Sequence, residues 1–178
     1  MAARLLPTAP AWSANQEITS TLLNQISTYL QFWANPPSFR AEQHTVQSLA
    51  NATTAQITCE TTVHDSDTGL STSSPFSYVV PFAGIWDFDG GVGFAANATG
   101  LRAPMICQNG TQINGGGPIY SQVANSALFL TSAKGVVCNV GDVIGLYAQQ
   151  QSGAALSTSN SSGQYSWFAG RLVSLQTP

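Results

Sequence analysis

The stretch Gly84-Ile85-Trp86-Asp87-Phe88-Asp89, entered from Ser77-Tyr78-Val79-Val80-Pro81-Phe82-Ala83, decides the fold class. Successive side chains of a strand point to opposite faces, so Trp86 and Phe88 share one face while Ile85, Asp87 and Asp89 share the other. Aromatics on one side and carboxylates on the other describe a strand with one buried and one wet face, the habit of antiparallel sheets. Pro81 ends the preceding strand, since it has no N–H to offer a central ladder. Gly84 permits close passage or a positive φ at the turn.

Outward from this stretch, candidate strands fall at 41–49, 55–63, 75–81, 84–95, 101–108, 120–131, 142–149 and 164–175. Turn residues punctuate them: Asp65-Ser66-Asp67-Thr68-Gly69, Gly90-Gly91, Asn97-Ala98-Thr99-Gly100, Asn109-Gly110, Gly115-Gly116-Gly117 and Ser152-Gly153. This pattern predicts an all-β sandwich or barrel rather than a βαβ fold. Gly141-Asp142 reads as a tight strand-entry turn, with Asp142 accepting a local backbone N–H. Trp86, Phe88, Phe94, Leu146, Tyr147 and Phe168 are the expected core.

The front of the chain differs. Residues 1–17 carry two prolines and no period, and read as an extended arm that orders only against a partner. They lack the apolar core of a secretory signal, so the start reads as mature protein. Ile18, Leu22, Ile26 and Leu30 then recur every four residues, widened by Leu23 and Trp33, which predicts an amphipathic helix over 18–33. Thr19 is its expected cap, and Pro36-Pro37 stop it. A helix of this length is marginal alone. Its apolar face packs either on its own head or on a neighbouring subunit or shell. The expected division is an arm and anchoring helix at 1–38 and a β-sandwich head at 39–178.

Only 7% of the 178 residues are charged, against about 25% in ordinary soluble domains. Such a surface fits either a protein whose faces are taken by other subunits or a polar-surfaced secreted domain. Net charge is −3, and the five basic residues (Arg4, Arg40, Arg102, Lys134, Arg171) are scattered. No basic patch is available for phosphates, so no nucleic-acid partner is expected. No apolar run reaches the ~20 residues of a membrane span, so no membrane partner is expected either.

Catalytic chemistry finds little support. His44 and His64 sit in no recognisable constellation, and no nucleophile elbow, HExxH or phosphate loop occurs. Gly115-Gly116-Gly117 lacks the lysine of a phosphate loop and reads as a hairpin tip. Asp65 and Asp67, beside His64, form a weak candidate cation site. Asp87 and Asp89 share a face and are either paired carboxylates or solubilising groups. Cys59, Cys107 and Cys138 are small buried hydrophobes, or one disulfide with a leftover thiol. No enzyme and no cofactor is expected.

The stretch from Tyr78 through Pro81, Ala83, Gly84 and Trp86 resembles the tyrosine–x–x–proline–x–alanine–glycine–x–aromatic strand pair of complement-type and TNF-like trimeric jelly rolls. Val140-Gly141-Asp142-Val143-Ile144-Gly145-Leu146-Tyr147-Ala148 resembles that family's glycine–aspartate strand, and Trp167-Phe168-Ala169-Gly170-Arg171-Leu172-Val173 closes the same order. The resemblance covers about 39–175 and implies an antiparallel jelly-roll β-sandwich working as a homotrimer, packed through apolar residues of one sheet. Tyr78, Pro81, Gly84, Trp86, Phe88, Gly141, Asp142, Leu146 and Phe168 carry the fold motif. The turn Asp67-Thr68-Gly69-Leu70 lacks the histidine that relatives often have, so no ligand role for one is inherited.

Residues 17–37 resemble the helical lead-in of virion structural proteins from phages infecting actinobacteria. That resemblance implies a capsid decoration or head-fibre protein, located in the virion. Leu5, Leu6, Trp12, Ile18, Leu22, Ile26, Leu30 and Trp33 would bind the major capsid protein. The alternative is a minor tail or tail-tip protein recognising host cell-surface glycans through Tyr120, Tyr165 and Trp167.

Overall fold

The computed structural model describes residues 4–113, 125, 127–161 and 163–175. Helix α1 (Ser20–Ala34) leads into β1 (Ser38–Glu42), β2 (Ser48–Leu49), β3 (Thr54–Gln56), β4 (Thr61–Asp65) and β5 (Tyr78–Val79). Then follow β6 (Gly84–Phe94), β7 (Arg102–Gln108), β8 (Thr111–Gln112), β9 (Ala127–Cys138), β10 (Val143–Gln150), β11 (Leu156–Ser157) and β12 (Trp167–Leu175). A front sheet runs β4-β1-β12-β6-β9, and a back sheet runs β3-β10-β7-β8, with β5 also on β10. All pairings are antiparallel. The chain is an antiparallel two-sheet jelly roll.

The core lies between the inner faces. Trp86 and Phe88 from β6, Phe39 from β1 and Phe168 from β12 meet Ile106, Ile144 and Leu146 from the back sheet, all buried. Tyr78 stacks on Phe39 at 3.9 Å, and Phe39 meets Phe168 edge-on at 4.8 Å. Each such side chain contributes about 1.5–3 kcal/mol by leaving water. Gly170 makes the ring cluster possible. It pairs with both Phe39 and Phe88, and a Cβ there would stand 2.6 Å and 2.5 Å from their ring carbons.

Several sequence expectations shift. The strand expected at 41–49 is interrupted after Glu42 and resumes at Ser48, and 55–63 breaks between Gln56 and Thr61. Only Tyr78–Val79 of 75–81 is strand. The strand expected at 120–131 instead runs Ala127–Cys138; residues 120–124 and 126 and the Gly115-Gly116-Gly117 tip lie outside the described residues. Tyr147, expected in the core, is on the outward side of β10, half-buried against Leu101, Ala103, Met105 and Cys107. The three cysteines are free thiols, all buried.

Candidate interaction surfaces

Thr19 caps α1 by accepting the Leu22 N–H at 3.2 Å, and Asn35 ends it, its N–H bonded to the Gln31 carbonyl. The arm turns back along the helix, so that Pro7, Thr8 and Ala9 line grooves with Thr21, Leu22, Gln25 and Thr28. Arg4 fastens it at the far end. Its Nη1 donates to the Asn35 carbonyl, its Nε lies 3.1 Å from Asp67 Oδ1, and the guanidinium sits 5.5 Å from the Phe32 ring. A cation at a helix C-terminus also meets the negative end of the helix dipole.

Among the described residues, the helix joins the core of the head through its last turn. Phe32 joins the core cluster and meets Phe82 edge-on at 5.5 Å, with Trp33 packed alongside. The rest of the expected stripe does not pack on the head. Leu22 is 4% exposed on the side the arm lines and is therefore unavailable to an outside partner, which corrects its expected role. Leu23 and Leu30 are 54% and 60% exposed, and Ile26 is half-buried. Leu5, Leu6, Trp12 and Ile18 are exposed as well, Leu5 at 87%.

A second surface is the outward face of the front sheet. Ile85, Val137 and Val173 are exposed where β6 begins and β9 and β12 end. A charged band crosses the middle. Lys134 Nζ lies 2.5 Å from Asp89, the Gly135 N–H donates to Asp87 at 3.0 Å, and Arg171 stands 3.9 Å from Asp87. Asp87 and Asp89 thus face cations and are not a paired acid. Exposed pairs of this kind contribute roughly 0–1 kcal/mol each.

At the opposite end Trp167 lies flat across Gly91, where a Cβ would sit 2.7 Å from the indole nitrogen and 3.1 Å from Leu128 and Leu130. Arg40 stacks on Trp167 at 4.8 Å and binds Glu42 through Nε and Nη2 at 3.2 and 3.0 Å. His44 stacks on Tyr165 at 4.8 Å and reaches the other Glu42 oxygen at 3.2 Å. Burial alone would raise the Glu42 pKa, but its hydrogen bonds to His44 and Arg40 and the Arg40 charge hold it below the usual carboxylate value. Tyr165 and Trp167 therefore share one end of this face, whereas Tyr120 lies outside the described residues.

Other expected sites dissolve on inspection. Asp65 accepts backbone N–H groups of Asp67, Gly69 and Leu70 at 3.2, 3.4 and 2.9 Å, and Asp67 faces Arg4 and the Ser66 hydroxyl. The two carboxylates are spent on the loop and on Arg4, so they do not converge on a cation. Among the described residues no three His, Cys, Asp or Glu side chains cluster to hold a metal. Burial pushes the Cys59 and Cys138 thiols up to about 12, which keeps them protonated and unreactive. Arg102 is 2% exposed and donates to the carbonyls of Asn97, Thr99 and Leu101. No described helix is long and apolar enough to cross a membrane.

Of the fold-motif residues, Tyr78, Trp86, Phe88, Leu146 and Phe168 point into the core. Gly84 opens β6 against Ser174, and Gly141-Asp142 form the turn into β10. Sequence reasoning missed Arg4, Arg40 and Glu42, because their partners are remote in sequence or two residues apart in an interrupted strand.

No family model matches the chain, and no curated protein matches it. Solved structures do. The globular domain of zebrafish complement 1qA protein superposes with a TM-score of 0.53 at 11% identity, over 80% of this chain and 100% of that one. Eiger TNF from S. frugiperda gives 0.54 at 7% identity, over 81% and 97%. Murine APRIL, at pH 8.0, gives 0.55 at 15%, over 76% and 98%. At these identities the likeness is one of fold: the chain has the jelly roll of the TNF and complement 1q domains.

Proposed function

We propose that this chain is a non-enzymatic structural protein of a bacteriophage particle, a homotrimer that decorates the capsid shell. Residues 1–38 serve as anchor and residues 39–178 as the projecting head, with the last turn of α1 shared between them. The observation that carries this reading is the set of large apolar side chains that the arm and Ile18, just before the α1 cap, leave exposed. Leu5, Leu6, Trp12 and Ile18 stand in water outside the head, on a segment with almost no charge. Several large apolar groups left exposed on one segment point to a docking surface. The resemblance of residues 17–37 to phage virion lead-ins names the surface they dock on, the major capsid protein. The head contacts its copies through the outward front-sheet face, where Ile85, Val137, Val173 and Leu130 are exposed.

Two measurements test this. Quantitative mass spectrometry of purified particles should find the chain in hundreds of copies; its absence from particles would sink the virion reading. Leu6→Asp with Trp12→Asp should weaken binding of the full chain to empty capsids by more than about tenfold, since each buried large side chain is worth a few kcal/mol. Unchanged binding removes the arm from the interface.

The convergence of Tyr165, Trp167, His44, Arg40 and Glu42 favours a second reading, a tail protein gripping a cell-surface glycan. Flat rings beside hydrogen-bonding groups suit sugar recognition. Copy numbers of a few to some dozens per particle, with host-glycan binding lost in Trp167→Ala, would select it.

A further inference from the structure

We infer that α1 is a second self-association element: Leu23, Ile26, Leu30 and Trp33 pack against the same side chains of two other copies in a parallel three-helix bundle. The inference rests on the self-association proposed above and assigns this part of the helix to sister chains rather than to the shell.

The spacing is the first argument. Leu23, Ile26, Leu30 and Trp33 follow one another at intervals of three, four and three, the a and d positions of a heptad. Leucine at a with isoleucine at d favours three or four strands over two. The flanking e and g positions, Ser27, Ala34, Leu22 and Tyr29, are uncharged, as is every residue of Ser20–Ala34. Nothing on this helix repels an identical helix, and nothing on it offers a charge to a charged partner.

Placement is the second argument. The arm lines the side carrying Thr21, Asn24, Gln25 and Thr28. At about 3.6 residues per turn, that side is roughly half a turn from the stripe. The arm thus covers the far side of α1 and leaves Leu23 and Leu30 exposed, with Ile26 half-buried between them. The stripe also runs on into the head. Trp33 packs against the core cluster, and the Leu172 N–H donates to the Pro37 carbonyl at 2.9 Å, which sets the chain leaving α1 beside Val173. Exposed Val173, Ile85 and Val137 therefore lie at the pole of the front sheet that the chain enters from α1. A seam this short cannot hold a bundle alone. Joined to the sheet face it becomes the top of one continuous interface.

The test uses the full chain. Analytical ultracentrifugation at micromolar concentration should find a trimer, and Leu30→Asp should weaken trimerisation at least a hundredfold while the thermal transition of the head persists. Leu30→Cys, mildly oxidised, should yield one covalent dimer and one monomer per trimer; Thr28→Cys, under the arm, should not cross-link. The native thiols do not interfere, being buried. A wild-type trimer that survives Leu30→Asp and gives no Leu30→Cys cross-link overturns the helical seam and leaves the head interface standing. Cross-linking at Thr28→Cys alone also overturns it. A wild-type monomer overturns self-association altogether, and a stable dimer overturns the three-helix bundle.

Discussion

Asp142 fixes the turn from β9 into β10 with one carboxylate. It accepts the Asn109 side-chain amide at 2.8 Å, the Asn139 backbone N–H at 2.7 Å and the Gln108 side-chain amide at 2.8 Å. The Asn109 and Asn139 hydrogen bonds, helped by Gln108 and outweighing burial, hold its pKa below the usual aspartate value. A lowered folded-state pKa means stability that is fully present above the ordinary aspartate range and fades as pH falls towards the folded value. Asp142→Asn replaces one acceptor oxygen of the carboxylate with an NH2 that faces the N–H donors of Asn109, Asn139 or Gln108, and should cost about 1–3 kcal/mol near neutrality. Melting temperatures measured from about pH 2 to 6 should fall with acid less steeply in the variant than in the parent. Equal slopes would mean that Asp142 is not the group titrating. Gly170→Ala tests the ring cluster in the same way. The new methyl must push aside Phe39 or Phe88, costing about 1–3 kcal/mol, read as a lower melting temperature.

Among elements, the arm and α1 form a unit held by Arg4. Arg4→Ala removes the ion pair to Asp67 and the cap on Asn35 together. Hydrogen exchange in the last turns of α1 should quicken severalfold, with the head's melting temperature shifted by no more than a few degrees. Protection unchanged from the parent would mean the arm docks without it. The elements also show which features the residues announce. The alternation from Ile85 to Asp89 was legible because β6 buries one face and wets the other. Thr19 and Pro36-Pro37 marked the helix ends for equally local reasons. The interruption of 41–49 was not legible, since no glycine or proline announces it. Glu60 Oε1 takes the N–H groups of His44 and Thr45 at 2.9 and 2.6 Å, and Gln47 accepts the Thr58 N–H at 3.1 Å, so remote side chains replace a ladder. The strand expected at 120–131 was too short at its far end. A bulge opposite Asp87, with Gly135 at φ 66°, lets β9 continue to Cys138. At the surfaces, the apolar arm residues were legible by type. The burial of Leu22 under the arm was not, because it depends on a fold-back that no spacing encodes.

Across the whole molecule, charge is segregated. Arg40, Lys134 and Arg171, three of the five basic residues, lie on the outward front-sheet face, each beside a carboxylate. No charged residue lies on the outward face of β7 or β10, where Leu101, Ala103, Met105, Cys107 and Tyr147 sit. The front sheet is also closed by distant pieces: β12 lies between β1 and β6, so the strand nearest the start and the long antiparallel pair β6–β9 meet in the sheet through it. Removing residues 167–178 should abolish cooperative thermal unfolding rather than merely lower its midpoint; a truncated chain that still melts sharply would show that β1 and β6 can pair without it.

That arrangement has a price at the ribosome. At about 5–20 residues per second, β1 emerges from synthesis on the order of ten seconds before β12, its second neighbour beside β4, exists. Through that interval the nascent chain carries Phe39, Trp86 and Phe88 on strand edges that nothing yet occupies, so holding by a chaperone, or dilution, should govern the yield of soluble protein more than the stability of the finished fold does.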